Sequence, residues 1–186
     1  MIRRYHAAMA GLAQTYVKSR DSAEEVAQDT WMAVLNGLKA FEGRSSLKTW
    51  IFSILVNKAK TRAAREGRTV LFSEMKEEGA PPEPAVDPSR FKRSGHWAVP
   101  PRSWNRKTPE RLLHNSEMRS FVEAALSNLP DAQRAVVILR DVEGCSSLEA
   151  CNILGLSETN QRVLLHRGRS RIRAALEEKL SALKDG

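Results

Sequence analysis

Proline is the strongest constraint on what this chain can fold into. Seven of its eight prolines crowd between Pro81 and Pro109, in "EEGAPPEPAVDPSRFKRSGHWAVPPRSWNRKTPE". A proline lacks the amide donor and has a fixed φ, so such a stretch sustains neither a helix nor a central strand. The chain therefore divides into a block over 1–71, a partly extended linker over 72–107 and a second block over 108–186. Trp97 and Trp104 flank "AVPPRS" inside that linker, which leaves open an ordered loop covering one block or a segment that binds a partner. Both blocks are rich in Ala, Leu, Arg and Glu with almost no β-branched alternation, so the expected fold is all-α, two small helical domains joined by a Pro-rich linker.

In the first block, Ser22 to Glu25 fits a capping box that opens a helix running to about Ala40. Val26, Thr30, Val34 and Leu38 share one face of it. A second edge carries Gln28, Trp31 and Leu35, with Met32 beside them and the acids Glu24, Glu25 and Asp29 around it. After "FEGRSS", Ser45 or Ser46 can cap the next helix, "LKTWIFSILVNKAKTRAAREGR", which starts apolar and ends basic. From Arg44 to Arg68 there are seven basic residues against one acid, Glu66, with Phe41 just upstream and Trp50 and Phe52 within. Cations along a backbone track with interleaved rings suit single-stranded DNA, although Trp50 and Phe52 also fall where a helix would bury them.

In the second block, Thr108-Pro109-Glu110 is a helix start, and the helix continues through Phe121 and Leu126. "LPDAQRAVVILRDVEG" is the next, ending at Gly144. Ser146 to Glu149 forms another capping box, opening the short helix "LEACNIL"; "GLS" and a long basic helix follow. A short helix, a glycine turn and a longer helix with a polar outer face make a helix-turn-helix pattern, which helical hairpins without a nucleic-acid role can imitate. Between Arg162 and Arg173 lie five arginines and a histidine in twelve positions, with no acid. At about 100° per residue, Leu164, Leu165, Gly168, Ile172, Ala175 and Leu176 share a packing face. Arg162, His166, Arg169 and Arg173 share another. With Ser157 as cap, Glu158, Thr159, Asn160 and Arg162 stand at the leading end, where residues of these types read base edges. Arg167, Arg169, Arg171 and Arg173 are better placed for phosphates, which add affinity and salt dependence but little sequence information. One such helix binds weakly, so it needs a second reading element or a partner that supplies avidity.

Composition narrows the classes further. The chain has 186 residues, a formal net charge of +8 and a pI near 9.9, which favours an anionic partner. No apolar run reaches the ~20 residues that cross a bilayer. "MIRRYHAAMAGLAQ" has no signal-peptide h-region, so a cytoplasmic location is expected. Cys145 and Cys151 form no CxxC pair and have no histidine at ligand spacing, so they read as small buried apolar residues rather than a metal or disulfide framework. No phosphate loop, nucleophile elbow or HExxH sequence appears, and no enzyme, metal or cofactor is implied.

With both blocks in view, the chain resembles a bacterial sigma factor of the extracytoplasmic-function class (group 4) of the sigma-70 family, small members that keep only regions 2 and 4. "DSAEEVAQDTWMAVLNGLKAFEGRSSLKTWIFSILVNKAKTRAARE" resembles region 2 and "ALSNLPDAQRAVVILRDVEGCSSLEACNILGLSETNQRVLLHRGRSRIRAALE" resembles region 4, together a little over half the chain. The resemblance implies that "AEEVAQDTW" docks on the clamp helices of the polymerase β′ subunit, with Glu25, Gln28, Asp29, Trp31, Met32 and Leu35 as contacts. The β flap is a further polymerase partner. The "FEGRSSLKTW" loop, with Phe41, Arg44, Ser45, Ser46, Lys48 and Trp50, is implied to capture a flipped base of the minus-10 element. "NKAKTR", with Asn57, Lys58, Lys60 and Arg62, is implied to read the same element. In region 4, Arg162, Val163, His166, Arg167 and Arg169 match the reader of the minus-35 element. Promoter DNA and core RNA polymerase are thus the implied partners, together with an anti-sigma factor of the kind that commonly holds family members inactive.

Two departures stand beside this match. Family members carry roughly one further helix or part-helix before the position of Tyr5, so Met1 falls inside or just before the first region 2 helix, from a truncated start or a weakened region 2. Gln161 occupies an inward position where an apolar residue is common, and either bonds within the turn or tilts toward DNA. A free-standing helix-turn-helix regulator would instead need a dimerisation surface and leaves the Gln28–Trp31 face and the 44–68 track unexplained. A helical protein with basic faces for membrane or RNA would lack promoter preference, and no stretch has the exposed apolar face that membrane binding wants.

Overall fold

Local hydrogen-bonding side chains decide where most of the helices begin. The structure, a computed structural model, describes residues 2–68 and 116–182. The linker over 72–107, the two tryptophans in it and the helix start at Thr108-Pro109 lie outside the described residues. Helix α1 spans Ile2–Ala13, α2 Arg20–Gly37 and α3 Leu47–Arg65, with a 3-10 turn at Leu38–Ala40 after α2. In the second block α4 spans Ser116–Ser127 and α5 Asp131–Val137, and α5 runs on as a π-helical turn over Ile138–Val142. Helix α6 spans Ser147–Leu154 and α7 Glu158–Ala182. No strand occurs among the described residues.

Ser46 caps α3, its hydroxyl accepting from the Thr49 amide, and Ser146 caps α6 in a full capping box with Glu149. Helix α2 begins three residues earlier than expected. Ser19 is its cap, accepting from the Ser22 amide at 3.0 Å, so no capping box opens at Ser22. The Ser22 hydroxyl points elsewhere, donating to Glu66 at 2.8 Å. Glu66 also accepts from the Lys18 amide (3.1 Å) and the Arg62 guanidinium (3.0 Å), pinning the α1–α2 turn to the end of α3. These three donors, the Ser22 hydroxyl foremost, hold the Glu66 carboxyl down to about 2.

The described residues form two compact units. The first combines the α1–α3 block with residues 130–165; its interior includes Met9, Leu12, Tyr16, Ile51, Phe52 and Leu55, all fully buried. Tyr5 meets Phe52 edge-on, with ring centroids 6.2 Å apart. Burial pushes the Tyr16 phenol up. The buried hydroxyls of Thr15 and Thr30 bond back to the carbonyls of Leu12 and Val26, so neither is stranded in the core. From the second block, Ala135, Val136, Leu139, Ala150, Leu154 and Leu164 are buried in the same unit. The other unit holds the described parts of 77–129 and the α7 residues from His166 onward. Cys145 and Cys151 are buried and unpaired, and burial is the leading cause that raises both thiols, which leaves them packing as small apolar residues.

Candidate nucleic-acid interface

The helix-turn-helix starts from a glycine. Gly155 ends α6 with φ +72°, and its amide and that of Leu156 both donate to the Cys151 carbonyl, at 2.8 and 3.0 Å. A left-handed residue followed by a buried apolar one is a standard way to close a helix and redirect the chain. Leu156 is that buried residue. Ser157 then caps α7, accepting from the Asn160 amide at 3.2 Å.

Along the first turns of α7 the two faces read from the sequence are realised, while Ile172, Ala175 and Leu176 further along the expected packing face are only half-buried. Gln161, Leu164, Leu165 and Gly168 are buried, while Glu158, Thr159, Arg162, Val163, His166, Arg169, Arg171 and Arg173 are exposed and Asn160 and Arg167 are half-buried. Arg162 lies 3.5 Å from Glu158 one turn back, both strongly exposed, a contact weak enough for a DNA acceptor to displace. Gln161 does not tilt outward: it is 1% exposed, and its Oε1 accepts from the Ser147 hydroxyl at 2.8 Å. Its Nε2 is buried without a hydrogen-bond partner.

Around the start of α3 the structure brings together most of the expected strand-reading residues. Phe41 and Trp50 stack at 5.0 Å with a 40° tilt, both part-exposed, and the Trp50 ring lies over Gly37, where a Cβ would come within 3.3 Å. Arg44, Ser45 and Ser46 are exposed on the turn through Gly43, and Arg44 is paired with Glu42 at 2.9 Å. Lys48 is half-buried and donates to the Glu143 carbonyl. Asn57 and Lys60 are exposed on α3 and Lys58 is half-exposed. Arg62 is engaged in a part-exposed ion-pair network, bonded to Glu66 at 3.0 Å and to Glu25 at 2.8 Å, and both acids raise its affinity for the proton. Phe52, the other aromatic of the track, is core.

The expected polymerase face of α2 is exposed at Gln28, Asp29, Met32 and Leu35, with Met32 at 60% and Leu35 at 58%. Leu38 extends the apolar stripe at 48% exposed. Trp31 departs from that expectation. It is one of the buried residues of α2, 7% exposed, so it supports the face from beneath. A groove of ≈ 410 Å³ has Glu25 and Asp29 on its α2 wall and Asn57, Lys58 and Arg62 on its α3 wall.

Sequence reasoning missed the distant engagements of Thr49, Glu66, Arg68 and Glu149. Their partners lie 44 to 103 residues away, as in Ser22–Glu66 and Ser46–Glu149, so no local pattern could have signalled them.

Comparison with known proteins gives this arrangement its family. The Sigma-70 region 2 family matches residues 1–69, and the Sigma-70 region 4 family matches residues 122–172. A Haemophilus influenzae protein named a probable RNA polymerase sigma factor is 30% identical over 92% of this chain and 86% of its own length. The chain belongs to the sigma-70 family. It is an RNA polymerase sigma factor of the extracytoplasmic-function type, a subunit that directs core polymerase to promoters. The ECF RNA polymerase sigma-E factor of Escherichia coli is 28% identical over 92% of this chain and 82% of its own. Among solved structures, the sigma factor RpoE in complex with the anti-sigma factor NepR from Bartonella quintana is 22% identical. It matches with a TM-score of 0.56 over 95% of this chain and 94% of that one. CnrH in complex with the cytosolic domain of CnrY is similar at a TM-score of 0.50, over 95% of this chain and 85% of that one. These last two likenesses concern the fold. Among the described residues no helix is long and apolar enough to cross a membrane.

Proposed function

We propose that this sigma factor divides its work among three surfaces. The α2 face formed by Glu25, Gln28, Asp29, Met32 and Leu35, backed by Trp31, docks on the β′ clamp helices, while region 4 also meets the β flap. Phe41, Arg44, Ser45, Ser46, Lys48 and Trp50 capture an unstacked base of the minus-10 element. Asn57, Lys58 and Lys60 follow the strand, and Arg62 joins them once released from Glu25. Along α7, Glu158 to Arg162, Val163 and His166 read minus-35 base edges, and Arg167, Arg169, Arg171 and Arg173 hold phosphates. The domain bounds follow: region 2 over 1–71, linker over 72–107, region 4 over 108–186.

The observation that carries this reading is the separation along α7, with Gln161, Leu164, Leu165 and Gly168 buried while Arg162, His166, Arg169 and Arg173 are exposed. The mechanism is thermodynamic. Unstacking a base costs a few kcal/mol, and capture of the open strand offsets that, shifting DNA from closed to open. The protein catalyses no covalent step and needs no metal or cofactor. It works in the cytoplasm, and an anti-sigma factor controls its access to polymerase. Polymerase holds both weak readers at one spacing, which supplies avidity. The test is run-off transcription by core RNA polymerase with and without the purified chain, on a library of promoter fragments. Discrete start sites that appear only with the chain support the reading. Transcripts indifferent to its presence would overturn it.

A further inference from the structure

Two residues of α7 trade the places that an amphipathic helix would give them. Gln161, a polar residue, is 1% exposed on the inward face, beside the buried Leu164 and Leu165. Val163, an apolar one, is 42% exposed on the outer face. Among the described residues it is the one large hydrophobic side chain that α7 exposes. Gln161 has an internal reason for its place, since its Oε1 accepts from the Ser147 hydroxyl at 2.8 Å. Val163 has no comparable one. Helix propensity favours Ala, Leu or Arg over a β-branched residue, and an exposed valine leaves apolar surface in water.

The neighbours of Val163 indicate what it meets. Residues four apart lie one above the other on a helix, so the first two turns of α7 carry two parallel rows. Glu158 and Arg162, 3.5 Å apart, make a charged row. Thr159 and Val163, both exposed and both β-branched, make a row of methyl groups beside it. Valine keeps one strongly preferred rotamer in a helix, so Val163 loses little freedom when a surface closes over it. In the major groove the bases present donors, acceptors and one methyl group, the 5-methyl of thymine.

We propose that Val163 reads the 5-methyl group of a thymine in the minus-35 element, at the base pair next to the one whose edge Arg162 takes. This rests on the minus-35 role proposed above for α7. Arg162 supplies paired donors suited to guanine, Val163 supplies the apolar contact, and Thr159 extends the same methyl row. The preference is an apolar one, so it holds across salt concentrations at which phosphate contacts weaken.

The test removes the methyl from the DNA and leaves the protein untouched. A promoter mapped by run-off transcription is prepared with each thymine of its minus-35 element, on either strand, replaced in turn by deoxyuridine. Uracil pairs as thymine does and lacks only the methyl. Each fragment is titrated with holoenzyme assembled from core RNA polymerase and the full-length chain, native or Val163→Ser. The native holoenzyme should lose affinity roughly fourfold at one thymine, or ~0.8 kcal/mol, the worth of one methyl-sized group kept from water. That loss should be the same at low and at moderate salt. Val163→Ser should bind the thymine promoter about fourfold more weakly and lose nothing further with uracil at that position. Serine and valine have similar helix propensity, so helical content should not change. A uracil loss that persists in Val163→Ser overturns the proposal, because another residue then reads the methyl. A minus-35 element with no sensitive thymine overturns it as well, and a weakened affinity of Val163→Ser for core polymerase would then mark Val163 as a protein contact. Arg162→Ala on the same fragments checks the underlying reading. If it abolishes dependence on the minus-35 sequence while uracil is tolerated everywhere, the thymine contact alone is refuted. If it leaves that dependence intact, α7 is not the reader and both readings fall.

Discussion

Replacing Gln161 by methionine should stabilise the helix-turn-helix, contrary to the usual effect of changing a fully buried residue. Gln161 is 1% exposed, and its two polar atoms have opposite fates: Oε1 accepts from Ser147 at 2.8 Å while Nε2 is buried with no partner. An unpaired buried donor costs ~1–3 kcal/mol, and one neutral hydrogen bond contributes ~0.5–1.5 kcal/mol. Methionine has nearly the same length and adapts to irregular space, so packing changes little. Removing the amide thus recovers more than the Ser147 bond loses, because the half-buried Ser147 hydroxyl can turn to water. The net gain is about 1 kcal/mol, or a Tm rise of about 2–4 °C for a chain of this size. Urea and thermal unfolding followed by circular dichroism measure it, with the m-value checking that the transition is unchanged. A double-mutant cycle sharpens the result: Ser147→Ala should cost ~1–3 kcal/mol in the native background, where it strands Oε1, and close to nothing beside Gln161→Met. Promoter selectivity should not change, because Gln161 faces the interior. A loss of 1 kcal/mol or more on Gln161→Met would show that Nε2 is satisfied and refute the reasoning.

Two other outcomes follow from local geometry and charge. Gly155→Ala should destabilise by ~1–2 kcal/mol in the same unfolding assay, since φ is +72° and no atom within 4 Å crowds an added Cβ, so the cost is conformational alone. Stability should fall as the pH drops from about 4.5 toward 2. Glu66 and Glu149 titrate at about 2 when folded against 4.5 unfolded, so the unfolded chain takes up protons first. Their contribution is complete above the unfolded value and lost through the folded one. Acid titration of unfolding should show this slope, and Glu66→Gln should flatten it.

What the sequence made legible was short-range. Ser46, Ser146 and Ser157 announce their helices because a cap and its amide lie within three residues. The Gly155 turn and the two faces of α7 follow from backbone chemistry and helical period. Where the outcome depended on distant partners, local pattern misled. Ser22 looked like a cap, but its hydroxyl is taken by Glu66 and Ser19 opens α2 instead. Trp31 shared an edge with Gln28 and Leu35, yet tertiary packing buries it. Arg62 read as one cation of a DNA track, and the fold gives it two acids from different elements. The capping box at Ser146 was legible, but nothing local could show that Glu149 spends its second oxygen on α3.

The division of labour is tested most directly by measuring core-polymerase affinity and promoter-directed transcription side by side for Arg162→Ala and for the paired change Gln28→Ala with Asp29→Ala. Arg162→Ala should leave polymerase affinity at the native value and lower transcription from minus-35-dependent promoters roughly tenfold, the worth of one ~1–3 kcal/mol base contact. The paired change should weaken polymerase binding, with transcription recovering as the variant's concentration is raised. Equal loss of polymerase affinity in both would contradict the assignment of binding to α2 and minus-35 reading to α7.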